Sequence, residues 1–208
     1  MPNDEPAKLY LVTPPTLALA EFATTLAGLL DGFEIACLRL SLATRSEDDL
    51  ARAADTLRAI CDTRDVPLVI AEHFLLAQRL GLDGVHLADG SRQVRAARKV
   101  LGTDAIVGAY AHASRHDGMT AAEIGADYVS FGPLSASSLG DGALAPFELF
   151  DWWSEMIEIP VVAEGGLTPE QAGDLARSAD FIALGDELWL HPDGPAAALA
   201  AFAERLAG

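Results

Sequence analysis

The segment Ile159-Pro160-Val161-Val162-Ala163-Glu164-Gly165-Gly166-Leu167-Thr168-Pro169-Glu170 is the part of the chain best suited to hold an anion. An apolar run passes into two glycines and then into a Thr-Pro-Glu helix start. Glycines let backbone N–H groups converge on one point, and the unpaired amides of a helix start favour negative charge. A second loop, Leu184-Gly185-Asp186-Glu187, would supply the other wall, so Gly165, Gly166 and Gly185 are the expected phosphate ligands. Asp186 and Glu187 bring like charge beside that anion. The plainer alternative is a tight strand-to-helix turn with no ligand.

Acid–base and metal chemistry fall to a short set of side chains. Glu72 and Asp89 are the carboxylate pair that would hold Mg2+, an ion satisfied by one or two carboxylates, water and substrate phosphate. His112 and His86 are candidate general bases, histidine being the side chain whose ordinary pKa lies nearest neutrality, with a hydrogen-bonded structural histidine as the alternative for each. Arg39 is the fixed cation for developing negative charge. Ser137, Tyr110 and His86 complete the substrate-contacting set, with Arg39, Glu72 and His112 as the catalytic one. The chain has two lysines, Lys8 and Lys99, and neither falls at such a position. The expected site thus has one arginine and no lysine against Glu72, Asp89, Asp141, Glu164, Asp186 and Glu187.

These residues cluster because of where the chain turns. Short apolar runs recur at 9–13, 34–40, 67–71, 84–87, 105–109, 128–131, 160–163 and 181–184. Each is continuously apolar, as for a parallel strand covered on both faces. Helices are expected between them. Thr16 precedes 17–30, Ser46 with Asp49 precedes 50–62, Asp89 or Ser91 precedes 94–101, and Thr168-Pro169 opens 171–178, with 195–206 closing the series. Gly81, Gly102 and Gly125 fall just past helix ends, where a left-handed residue is favoured. Eight strands alternating with helices give a single (β/α)8 TIM barrel over 1–208, with 1–7 as a disordered tail. Functional residues then belong just beyond the strands. The Ser- and Gly-rich stretch 132–145 is long enough to form a mobile loop over the site.

Composition narrows the function. The 208 residues are 50% hydrophobic but only 7% aromatic, which suits helices packed on buried strands. A formal net charge of −17 repels nucleic acid and anionic lipid. Arg92, Arg95, Arg98 and Lys99 are spaced along one solvated helix face. Cys37 and Cys61 read as buried reduced thiols. The acidic N-terminus lacks a signal peptide's basic start and apolar run, and no apolar run reaches membrane length, so a cytoplasmic protein is expected. Its expected partner is a small phosphorylated metabolite, with no nucleic acid and no membrane; a second copy of the chain, as a homodimer, is a further candidate.

Leu9-Tyr10-Leu11-Val12-Thr13, Gly81-Leu82-Asp83-Gly84-Val85-His86-Leu87, Gly125-Ala126-Asp127-Tyr128-Val129-Ser130-Phe131-Gly132-Pro133 and Pro160-Val161-Val162-Ala163-Glu164-Gly165-Gly166 resemble signature segments of the thiamine phosphate synthase and thiazole tautomerase family. The resemblance runs from about Lys8 to Leu188, in order and at the right spacing. It implies a (β/α)8 barrel that joins an aminopyrimidine diphosphate to a thiazole phosphate, with Mg2+ on the diphosphate. Several positions depart from that pattern. The family's Arg-x-Lys is Arg39-Leu40-Ser41, its Asn-Asp-Arg is Ala71-Glu72-His73, and its His-Leu-Gly-Gln is His86-Leu87-Ala88-Asp89. A serine is replaced by Tyr110, and Pro-Thr-x-Thr-Lys by Ala136-Ser137-Ser138-Leu139-Gly140. The tautomerase branch carries a histidine where this chain has Pro133, which cannot transfer a proton. Lost cations weaken stabilisation of a departing diphosphate. The expectation is therefore a diverged member with weak or altered activity, or a non-catalytic barrel that binds thiazole phosphate.

Overall fold

In the computed structural model, which describes residues 5–137, 139 and 142–208, eight parallel strands close into a barrel in sequence order. They are β1 Lys8–Val12, β2 Ile35–Leu40, β3 Leu68–Ala71, β4 Gly84–Leu87, β5 Ile106–Tyr110, β6 Tyr128–Phe131, β7 Val161–Glu164 and β8 Phe181–Leu184. The helices are α1 Leu19–Gly32, α2 Glu47–Asp62, α3 Phe74–Leu80, α4 Val94–Leu101, α5 Arg115–Glu123, α6 Phe147–Met156, α7 Pro169–Leu175, α8 Asp186–Trp189 and α9 Pro195–Ala207. This is the (β/α)8 fold expected from the apolar periodicity. No helix among the described residues is long and apolar enough to cross a membrane.

Local chemistry sets the helix starts where the cap is a hydroxyl. Ser46 accepts the Asp49 N–H, and Thr168 forms a reciprocal capping box with Gln171 ahead of Pro169. Two expected caps are corrected. Residue 18 rather than Thr16 precedes α1, and Gln93 rather than Asp89 or Ser91 precedes α4, neither with a side-chain cap bond. The short α8 was not anticipated. Gly81, Gly102 and Gly125 follow helices at positive φ, as expected. Of the expected 1–7 tail, residues 1–4 lie outside the described residues, whereas Ala7 is buried and its N–H donates to the Ala176 carbonyl.

Strand alternation divides the core in two. Along β2, Leu38 and Leu40 face the helices while Cys37 and Arg39 face the barrel interior. Leu11, Leu26, Leu57, Leu68, Phe131, Phe150 and Trp153 fill the layer between barrel and helices. The interior holds Tyr10, Cys37, Val69, Tyr128, Val162 and Ala183. Tyr128 crosses the barrel because Gly108 faces it; a Cβ at Gly108 would lie 2.0 Å from the Tyr128 ring. Burial pushes the Cys37 and Cys61 thiols up to about 12, so both stay protonated and unreactive.

At the N-terminal end of the barrel one device occurs three times. Asp83, Asp127 and Asp180 each precede an even-numbered strand. Each carboxylate accepts the backbone N–H at the start of the strand before, from Leu68, Val107 and Val161, all at 2.7 Å. Each aspartate's own N–H returns a bond to the same residue's carbonyl, at 2.8–3.1 Å. These three carboxylates are thus structural.

Candidate active site at the C-terminal rim

The strand ends set the positions of the expected site residues, and several are corrected inward. Arg39, His86 and Tyr110 are not beyond their strands but within β2, β4 and β5, and Glu164 is the last residue of β7. All four are buried. An inward-facing residue near a strand end closes the floor of the site rather than reaching over it.

That floor is a polar network absent from the sequence reading. Arg39 Nη2 donates to Glu164 Oε2, and Ser130 Oγ donates to Glu164 Oε1 at 2.5 Å. His86 Nδ1 lies 2.8 Å from the Tyr128 hydroxyl, which lies 2.8 Å from that of Tyr10; His86 Nε2 is 3.7 Å from Glu164 Oε1. Burial alone would raise the Glu164 carboxyl, but Arg39, with help from His86 and Ser130, holds it down at about 2. Burial, reinforced by the Arg39 charge, depresses His86 to about 3. Burial would weaken the charge on Arg39, but the facing Glu164 carboxylate raises its pKa. The floor is therefore an ionised Arg–Glu pair beside a neutral histidine. His86 is a structural member of this network and has no charge to offer a phosphate.

Above it lies a cavity of about 240 Å3 bordered by Thr13, Arg39, Ser41, Ser137, Glu164, Gly165, Gly185 and Glu187. Of the three expected phosphate glycines, Gly165 and Gly185 border this cavity, while Gly166 does not but reaches its edge through a bond to Glu187. Gly165 and Gly166 take φ of 89° and 73°, open to glycine at little cost. The Gly166 and Leu167 N–H groups both donate to Glu187 Oε1, the latter at 3.2 Å, and the Gly185 N–H donates to Glu187 Oε2 at 2.9 Å. The described part of the 132–145 loop is tied to the same turn. Leu134 N donates to the Gly165 carbonyl at 2.7 Å, and Ser135 Oγ donates to the Gly166 carbonyl at 2.5 Å. Ser138, Gly140 and Asp141 lie outside the described residues. Ser137 is exposed at the cavity edge and accepts the Leu139 N–H at 3.2 Å.

A second cavity, of about 360 Å3, lies on the opposite arc of the rim beyond β4 and β5, bordered by Ala88, Asp89, Gly90, Ser91, Arg92, His112 and Asp117. Arg92 corrects the sequence reading: α4 starts at Val94, so Arg92 sits in the preceding turn and faces this cavity instead of lying on a solvated helix. Arg98 is corrected as well, since it bonds the carbonyls of Gly102, Ala105 and Gly125 and pairs with Asp127. Glu72 Oε1 accepts the Ala88 N–H, which holds this carboxylate beside the segment carrying Asp89. Asp89 Oδ2 accepts from Gln93 at 2.9 Å, while its Oδ1 is buried without a hydrogen-bond partner among the described residues. A cation suits that oxygen. Among the described residues, however, no three His, Cys, Asp or Glu side chains gather into a metal cage. Glu72 and His112 share a strained backbone, with φ of 66° and 55°. Non-glycine residues in this region carry roughly 1–3 kcal/mol of strain and concentrate at functional sites. The His112 ring packs on Tyr110, at 4.5 Å between centroids. Tyr110, expected to touch substrate, is 2% exposed and donates to the Gly132 carbonyl at 2.7 Å, which makes it a strut.

A closed parallel barrel with cavities at the C-terminal ends of its strands defines the class: a (β/α)8 protein. A profile of the family "Thiamine monophosphate synthase" matches residues 9–188. A thiamine-phosphate synthase of Rhodospirillum centenum is 43% identical over 197 residues, 94% of this chain and 95% of that protein. Another, of Erythrobacter litoralis, is 38% identical over 208 residues, 97% and 96% of the two chains. The solved structure of thiamine phosphate pyrophosphorylase from Pyrococcus furiosus has the same fold, with a TM-score of 0.82 at 21% identity, covering 96% of this chain and 95% of that one. The chain belongs to the thiamine monophosphate synthase family.

Proposed function

We propose that this protein is a cytoplasmic transferase of thiamine biosynthesis that joins an aminopyrimidine diphosphate to a thiazole phosphate, with weakened displacement of the diphosphate. The observation that carries this reading is the pair of cavities on opposite arcs of the rim. The β4–β5 cavity suits the diphosphate, with Arg92 as its cation and Glu72 and Asp89 as the residues that would hold Mg2+. When bound, the ion would neutralise charge on the leaving group. The unpartnered Asp89 Oδ1 supports this placement. The β7–β8 cavity, bordered by Gly165 and Gly185 and with the Gly166 N–H directed at Glu187 on its edge, suits the phosphate of the thiazole. His112, half-buried between the diphosphate cavity and Tyr110, would exchange a proton there.

Weakness in the chemical step follows from the diphosphate cavity, whose lining carries one cation, Arg92, beside Asp89 and Asp117. Arg39 supplies no second cation there, since it borders the other cavity and is paired with Glu164. A missing cation on developing charge typically lowers the rate roughly 100-fold or more. The same observation favours the second reading, a barrel that binds thiazole phosphate without turnover. Purified protein incubated with both precursors and Mg2+ decides between them. Release of diphosphate with formation of the coupled product is expected, at a rate well below that of a relative with further cations at the diphosphate cavity. No product at high enzyme concentration, with thiazole phosphate still bound, would establish the non-catalytic reading.

A further inference from the structure

The backbone cradle at the glycine turn already holds an anion, and the anion is part of the chain. Three N–H groups from two loops, those of Gly166, Leu167 and Gly185, converge on the two oxygens of Glu187. Gly166 reaches this geometry only through its positive φ, and a Cβ there would lie 2.4 Å from Ser135 Oγ. Glu187 borders the 240 Å3 cavity, and its carboxylate occupies the donors that an incoming phosphate oxygen would use. Asp186 borders the same cavity but is exposed.

We infer that Glu187 determines the ligand specificity of this site: its carboxylate is an internal ligand of the amide cradle, and a phosphomonoester binds only by displacing it. This inference rests on the proposed placement of the thiazole phosphate at the glycine turn. Each phosphate oxygen that enters takes over N–H bonds from Glu187, whose side chain must swing into solvent. A dianion also meets its charge at close range until it leaves. The cradle therefore discriminates against weakly bound anions such as free phosphate. It accepts an ester whose organic part makes enough further contact to drive Glu187 out. The site's affinity for phosphate is the difference between two anions competing for one set of donors.

Calorimetric titration with inorganic phosphate and with thiazole phosphate tests this on the full chain, comparing wild type, Glu187→Ala and Asp186→Ala. The alanine at 187 empties the cradle; the alanine at 186 removes the same charge from the same cavity without touching the donors. Glu187→Ala is expected to bind both ligands at least tenfold more tightly, and Asp186→Ala no more than about threefold. Backbone amide shifts of Gly166, Leu167 and Gly185 should respond to phosphate in the Glu187→Ala protein. Equal tightening by both variants would reduce the effect to bulk charge and overturn the inference. Unchanged affinity in Glu187→Ala, with wild type still binding, would overturn it too but leave the phosphate site standing. If no variant binds either ligand, both the inference and the phosphate placement fail, and diphosphate release separately judges the transferase. Should Glu187→Ala not fold, Glu187→Gln against Asp186→Asn carries the same comparison with the same outcomes.

Discussion

Replacing Glu164 by glutamine keeps the shape of the side chain but deletes the charge facing Arg39, which is only 6% exposed. The guanidinium cannot shed its proton to escape, and its Nε already lacks a hydrogen-bond partner among the described residues. Breaking a buried pair by removing one partner typically costs about 3–5 kcal/mol, because the other charge is left uncompensated. The depression of the Glu164 carboxyl to about 2 gives a similar figure, roughly 3 kcal/mol between its two protonation states. For a chain of this length that corresponds to a fall in Tm of roughly 6–20 °C. Urea unfolding of wild type, Glu164→Gln, Arg39→Met and the double variant Arg39→Met/Glu164→Leu would measure it. The double variant should be more stable than Glu164→Gln alone, since apolar replacement of both partners leaves nothing charged behind. A Glu164→Gln protein within 1 kcal/mol of wild type, or a double variant no more stable than Glu164→Gln, would refute the reasoning.

Two further outcomes follow from the same interior. His86 is held near 3 in the folded protein, so below its ordinary value near 6.5 the unfolded chain binds a proton that the folded one refuses. Stability should fall as pH drops from about 6.5 toward 3, with the Glu164 contribution lost later, from about 4.5 toward 2. Thermal melts across this range should show the upper part of the slope flattened in His86→Gln; an identical slope would contradict the burial of a neutral ring. Gly108→Ala places a methyl 2.0 Å from the Tyr128 ring, forcing it out of its bonds to Tyr10 and His86. A loss of about 3 kcal/mol or more in urea is expected, and less than 1 kcal/mol would show that the ring has room to move.

The strands and several helix starts were readable because their causes are local. A continuously apolar run of four to six residues reports burial on both faces, and Ser46 and Thr168 cap the turn that follows them in sequence. The glycine turn was legible for the same reason. What was hidden depends on contacts between distant residues. Arg39 meets Glu164 across 125 positions, and Glu187 reaches Gly166 across 21, so neither spacing nor composition announces them. The sequence did warn that Asp186 and Glu187 stood beside the proposed anion, but not that one of them would take the anion's place. Arg92 was misplaced because its spacing from Arg95 and Arg98 mimics a helix face that starts only at Val94. His86 and Tyr110 were assigned to the rim on their chemistry, whereas strand register turned both inward.

The three aspartates at the far end of the barrel carry a lesson about construction. Each joins an odd strand to the even strand after it, and the described bonds show no such clasp between β1 and β2. Three of the four two-strand units, β3–β4, β5–β6 and β7–β8, are thus tiles fastened at the base by a reciprocal pair of bonds. A chain reopened in a loop between tiles keeps every fastener, while one reopened inside a tile turns its fastener into a junction between the two ends of the chain. The loops above the rim sit at the other extremity from these fasteners, which leaves them free to vary in sequence without loosening the scaffold that presents them.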